Sequence, residues 1–184
     1  MQTGVTHMDK EKLLEFSCPY YANKDIMHNM WHIELVEKYV NKIIEMGCYD
    51  VNVSHITYAT YFHGFIYNAE HEVSAWLVKQ NLPDSEIDQI VKIAYESQRE
   101  ETPGTLEGKI LHDAHIIEGG KTYLITKCLI TGSVRGQSLL ETIDYIETNI
   151  IDKAVCYLPE TIPLLNKANL FTRKFIADLK AGIS

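Results

Sequence analysis

Apolar residues recur along the chain at spacings of three and four, and no segment sustains the strict alternation of a strand. This period predicts helices over about 10–16, 25–46, 51–67, 70–81, 84–98, 105–118, 121–131, 139–157 and 163–180. The punctuation agrees. Pro19 should end the first segment and Gly47 the second, Leu82-Pro83 closes the fourth, and Asp84 is a good N-cap for the fifth. Thr102-Pro103-Gly104 reads as a turn, and Gly119-Gly120 as a stop. The expected fold is an all-α globule of about eight helices. It forms one domain over residues 10–184, helical throughout its C-terminal part, 121–184. Residues 1–9 read as a flexible tail, with Met8 an alternative start.

Composition narrows the functional classes. With 184 residues, 46% of them hydrophobic, the chain can bury an ordinary core. Asp and Glu number 25 against 17 Lys and Arg, a net charge of -8. Such a surface opposes non-specific binding to nucleic acid or to an anionic membrane. A small phosphorylated ligand stays open, because a metal or a local lysine can invert the sign of one pocket. Cys18, Cys48, Cys128 and Cys156 make no C-x-x-C pair. No apolar leader opens the chain, and no uncharged run approaches the roughly 20 residues of a spanning helix. A reduced, cytoplasmic protein is expected, with homo-oligomerisation left open. The chain has no phosphate loop of the G-x-x-x-x-G-K type, no dinucleotide fingerprint and no G-x-S-x-G elbow.

Three ionisable residues interrupt apolar rows. His32 begins the row Val36, Val40, Ile43, with His28 one turn earlier. His63 follows Ile56 and Ala59, and Asp113 follows Leu106 and Ile110. A lone inward histidine is usually a hydrogen-bonded core residue, and Asp113 could pair with Lys109 one turn earlier. Together, however, two histidines and a carboxylate on three helices would suit a metal ion.

Four segments resemble, in order, motifs of the HD superfamily of metal-dependent phosphohydrolases. They are His28-Asn29-Met30-Trp31-His32-Ile33, Ala59-Thr60-Tyr61-Phe62-His63-Gly64, His71-Glu72-Val73-Ser74-Ala75, and Leu106-Glu107-Gly108-Lys109-Ile110-Leu111-His112-Asp113-Ala114, all within residues 25–120. The resemblance implies an HD-like helical fold and a metal-dependent hydrolase of a small phosphate ester or nucleotide. It implies one divalent ion (Mn, Fe, Co, Ni, Zn or Mg) on His32, His63 and Asp113. His71 and Glu107 become candidates for proton transfer, and His28, Lys109 and Lys121 for holding phosphate or orienting the ligands. The chain departs from the pattern at Gly64, where the family has a metal-binding Asp. It departs again at Leu35, where many relatives are basic, and at His115, where relatives often carry a second Asp. The Gly64 departure favours an alternative, a degenerate HD-fold binding or interaction protein; the resemblance also admits a third, an HD-fold metal oxygenase, since some HD-fold relatives use iron and dioxygen. It also predicts that Gly64→Asp would strengthen the site and add helix stability.

Overall fold

The computed structural model describes residues 8–183, and it is helical with no strand among them. The tail expectation falls mostly on residues 1–7, which lie outside the described residues. Met8 packs against the core, and the Asp9 carboxylate accepts the Lys12 amide as the cap of α1 (Lys10–Tyr21). Pro19 was expected to stop this helix but lies inside it. Tyr21 is the reason: its ring is 2% exposed, lies 5.7 Å from Phe65, and its hydroxyl donates to the Tyr61 carbonyl at 2.9 Å. Tertiary packing carries the last turn past the proline.

α2 (Met30–Gly47) starts later than its period suggests, because Asn29 caps it through the Trp31 amide. Before it, the Asp25 carboxylate accepts the Met27 amide and holds His28 Nδ1 at 2.8 Å. His28 therefore sits in a turn, not one helical turn below His32. α3 (Val53–Phe62) is buried on nearly every face and ends where His63 becomes its C-cap. α4 (Ile66–Lys79) follows after a three-residue turn and kinks at Ala69. Pro83, rather than Asp84, is the N-cap of α5 (Asp84–Glu96). Thr105 caps α6 (Leu106–Ile117), with its own hydroxyl and amide held by the buried Glu96 carboxylate.

Glu118 ends α6 with extended backbone, and Gly119 and Gly120 take positive φ of 63° and 72° to start α7 (Gly120–Val134). α8 (Leu139–Asn149) opens on a capping box of Ser138 and Glu141. It stops well short of residue 157, and an irregular stretch leads to α9 (Ile162–Ile183).

One apolar core joins α1 to α6 with Leu158 and Leu165. A second, much smaller core of Ile143, Ile146, Ile151 and Ile176 holds α8 to α9. α7 packs on both of these helices and only lightly on α6. The chemistry-bearing residues lie along the seam between the two assemblies. No helix among the described residues is long and apolar enough to cross a membrane.

Candidate metal centre and its two clefts

α2, α3 and α6 each bring one histidine to a common point. His32, His63 and His115 offer ligand nitrogens that all lie within 4.8 Å of one another. The rings of His63 and His115 are 4.5 Å apart, and His32 is 5.7 Å from His63 and 5.6 Å from His115. An ion with metal–nitrogen bonds of about 2.1 Å can bridge nitrogens up to about 4.2 Å apart, so a small closing of the rings completes a three-coordinate set.

The surroundings prepare these rings as ligands. His32 Nδ1 donates to Glu118 Oε2 at 2.7 Å, and Lys127 Nζ grips the other oxygen at 2.5 Å. With Nδ1 engaged, Nε2 carries the lone pair; a carboxylate behind a ligand histidine fixes its tautomer and orientation. His63 Nδ1 is 3.5 Å from Ser97 Oγ, whose own proton goes to the Ala94 carbonyl. The Gln98 side chain donates to the His63 carbonyl at 2.7 Å. Among the described residues, His115 Nδ1 is buried with no hydrogen-bond partner. Such an atom is costly unless something binds it.

Charge follows from burial. Desolvation first, then the Lys127 and His28 charges, push His32 down to about 2. Burial likewise holds His63 and His115 well below the ordinary histidine range. All three are neutral imidazoles, the form that binds metals. Burial pushes Glu118 up to about 7, against the pull of Lys127.

Two clefts open on the triad. One, the triad cleft, of about 250 Å³, is lined by Lys24, Gly64, Tyr67, Gln98 and the histidines. A second, of about 230 Å³, runs along the seam between Tyr123, Lys127 and Arg135 of the α7 side and Arg99, Tyr145 and Asn169. His28 and His115 line both.

Of the residues expected from the sequence, the structure brings His32, His63 and His28 to this site. Asp113 is engaged elsewhere. It is fully buried, and its carboxylate accepts the amides of Tyr157 and Leu158 at 2.9–3.0 Å and the Thr161 hydroxyl at 2.5 Å. It pins the stretch before α9 instead of joining the histidines. The Lys109 partner proposed for Asp113 is likewise replaced by these groups. His71 is exposed on α4, and Glu107 stands on the first turn of α6; neither lines a cleft. Lys109 lines neither, and Lys121 lies over the Phe171 ring at 4.9 Å.

Position 64 is not helical, and its surroundings differ from the sequence expectation. The Tyr21 hydroxyl accepts the Gly64 amide at 3.2 Å, and Lys24 Nζ donates to the Gly64 carbonyl at 2.7 Å. A Cβ at Gly64 would lie 2.6 Å from the Tyr21 oxygen, so the turn closes on the space that a side chain would need.

The sequence named His115 only as a departure from the family pattern, and it passed over Glu118, Lys127 and Lys24. Gly108, Leu111, His115 and Glu118 form their own row at spacings of three and four, so a second inward face of α6 was present to be read.

No protein-family model matches the chain, and no curated protein matches it. Solved structures do. Bacillus subtilis YpgQ in complex with ADP is 16% identical with a TM-score of 0.74, over 94% of this chain and 93% of that one. A Lactobacillus plantarum protein is 14% identical at a TM-score of 0.75, over 99% and 98%. The Lin1889 protein of Listeria innocua is 18% identical at 0.67, over 94% and 96%. At these identities the likeness shows the fold, which this chain shares with all three across almost its whole length.

Proposed function

We propose that the chain is an HD-type metal-dependent phosphohydrolase acting on a small phosphate ester, with nucleotides the first class to try. The observation that carries this reading is the convergence of His32, His63 and His115 at a point shared by two clefts. Three neutral nitrogen donors suit Zn, Fe, Co or Ni and disfavour Mg, which prefers oxygen. His115 takes the ligand role that the resemblance gave to Asp113. A divalent ion held there supplies Lewis acidity toward a phosphoryl oxygen and toward water.

The chain's own residues do the rest. Glu118 and Lys127 keep the His32 ring turned toward the centre. Arg99, Lys127 and Arg135 give the seam cleft positive charge that draws in an anionic substrate. His28, steadied by Asp25 and facing both clefts, replaces His71 and Glu107 as the group placed for proton transfer. The ADP bound to the YpgQ structure supports starting with nucleotides.

Gly64 favours a second reading, a ligand-binding protein without turnover. The family's carboxylate is missing there, and Tyr21 fills its space. One experiment separates the two. Purified protein is analysed for metal after growth with Mn, Fe, Co, Ni and Zn, then assayed on a nucleotide panel and on p-nitrophenyl phosphate. About one ion per chain is expected, with His63→Ala and His115→Ala losing the ion and at least about 100-fold in turnover. A metal-free wild type, or hydrolysis that His115→Ala leaves intact, overturns the proposal. Tight nucleotide binding without turnover supports the second reading.

A further inference from the structure

The carboxylate missing at position 64 leaves a turn whose backbone is held by a cation. Lys24 Nζ donates one hydrogen bond, to the Gly64 carbonyl, and sits 4.6 Å from the centre of the Tyr21 ring. An ammonium has three donors. Among the described residues the other two meet no acceptor, and the side chain is half-buried on the wall of the triad cleft. A partly desolvated ammonium with spare donors is costly unless an anion completes its shell.

The rest of the wall carries no opposing charge. Of the twelve described residues that line the cleft, none is acidic, in a chain whose Asp and Glu outnumber Lys and Arg by 25 to 17. His28, His32, His63 and His115 face it with neutral or cationic edges, and Gln98 and Asn68 are polar neighbours. The donor set of the triad is also uncharged, so a divalent ion there would keep its full charge. With Lys24 as its one fixed charge and no acidic neighbour, the cleft suits an anion beside the triad.

We propose that the triad cleft is a phosphoryl-binding chamber in which Lys24, aimed by the Gly64 carbonyl and the Tyr21 ring, holds the terminal phosphate of the substrate. The functional meaning rests on the phosphohydrolase reading, but the binding does not need the metal. The lysine grips the backbone carbonyl of position 64, where the resemblance would have put a ligand carboxylate, so the turn carries a substrate-holding charge in place of a metal-holding one. Lys24 is a positioning and specificity residue for monoesters and terminal phosphates. Diesters, which present a single negative charge and no free phosphoryl end, should fit poorly.

The test uses the full chain freed of metal by chelation and titrated with inorganic phosphate at constant ionic strength. Lys24→Met, which keeps the aliphatic stem over Tyr21, should weaken phosphate binding by about 10- to 100-fold, the range of a hydrogen bond to a charged group. Lys24→Arg should stay within several-fold of wild type, and Lys79→Met, an exposed lysine lining neither cleft, should match wild type. Phosphate should also protect Lys24, but not Lys79, from reductive methylation in the unaltered protein, a readout that needs no variant to fold. With an ester substrate, Lys24→Met should raise KM more than it lowers kcat while metal content stays at the wild-type level. Wild-type phosphate affinity in Lys24→Met, an equal loss in Lys79→Met, or no protection of Lys24 overturns the proposal. A chain that takes up no metal but binds phosphate through Lys24 keeps the chamber and loses the phosphohydrolase reading. A hydrolase whose Lys24→Met variant is unaltered loses the chamber alone.

Discussion

Tyr21 decides what can stand at position 64. Its ring is buried, its hydroxyl bridges the Tyr61 carbonyl and the Gly64 amide, and its edge meets Phe65. Burial pushes its phenol up, so it stays protonated and can donate and accept at once. Any Cβ at position 64 would come within 2.7 Å of both the oxygen and a ring carbon. Nothing at the flexible end of a side chain can give way there. Gly64→Ala should therefore cost about 1–3 kcal/mol of stability, the usual range for forced overpacking, read as a lower urea midpoint. Gly64→Asp should cost at least as much and bind metal no better, against the expectation drawn from the family pattern. An aspartate variant as stable as wild type, with tighter metal binding, would show that Tyr21 yields and that the position can take a ligand carboxylate. Resemblance identified the position as the point of departure. It could not reveal that a tyrosine forty-three residues earlier in the chain has moved into the space, because that contact exists only in the fold.

At the scale of elements, α6 explains why periodicity selects Asp113 while the fold brings His115 to the other two histidines. An amphipathic helix shows one inward face, and the apolar row Leu106, Ile110, Ile117 selected Asp113. α6 instead lies between α2, α5 and the start of α9, and Gly108, Ile110, Leu111, His112, Asp113, Ala114 and Ile117 are all buried. A helix buried on several sides has several inward rows, and periodicity alone cannot say which points at the histidines of α2 and α3. The two rows do different work. Asp113 faces the stretch before α9 and gathers two amides and a hydroxyl; His115 faces the triad. Asp113→Asn presents an amide donor to groups that themselves donate, so it should lose at least about 2 kcal/mol in urea denaturation while still taking up metal. His115→Ala should show the reverse: metal uptake lost, with the fold retained. If Asp113→Asn folded normally and lost the ion, the ligand set inferred from the resemblance would be restored. Helix existence was otherwise legible throughout, since each period match found an element. The ends were not. Tyr21 pulled α1 past a proline, Asp25 captured the turn before α2, and Asp113 took the amides of a segment that the pattern had assigned to α8.

Across the whole molecule, the site straddles two assemblies of unequal strength. His32, His63 and His115 stand on α2, α3 and α6, or at the end of α3, inside the larger core. Tyr123 and Lys127, which face the site across the seam, belong to α7, in which only Ile125 and Gly132 of fifteen residues are buried. The small core of four isoleucines spans α8 and α9, and α7 packs against both. Few buried apolar contacts mean low local opening free energy. Native-state hydrogen exchange should therefore show α7 and α8 opening well below the global unfolding energy, and α2, α5 and α6 opening only with it. Lys127 reaches from α7 to Glu118 behind His32, so each opening of α7 releases the carboxylate that orients a ligand ring. Anions that enter the seam cleft meet Lys127 and Arg135 on that same helix or at its end. A nucleotide that binds there should slow exchange in α7 more than in α8, whose core contacts it does not touch. Equal protection of all nine described helices without ligand, or a ligand effect spread evenly over the chain, would mean that the two assemblies open as one and that the seam is a rigid wall.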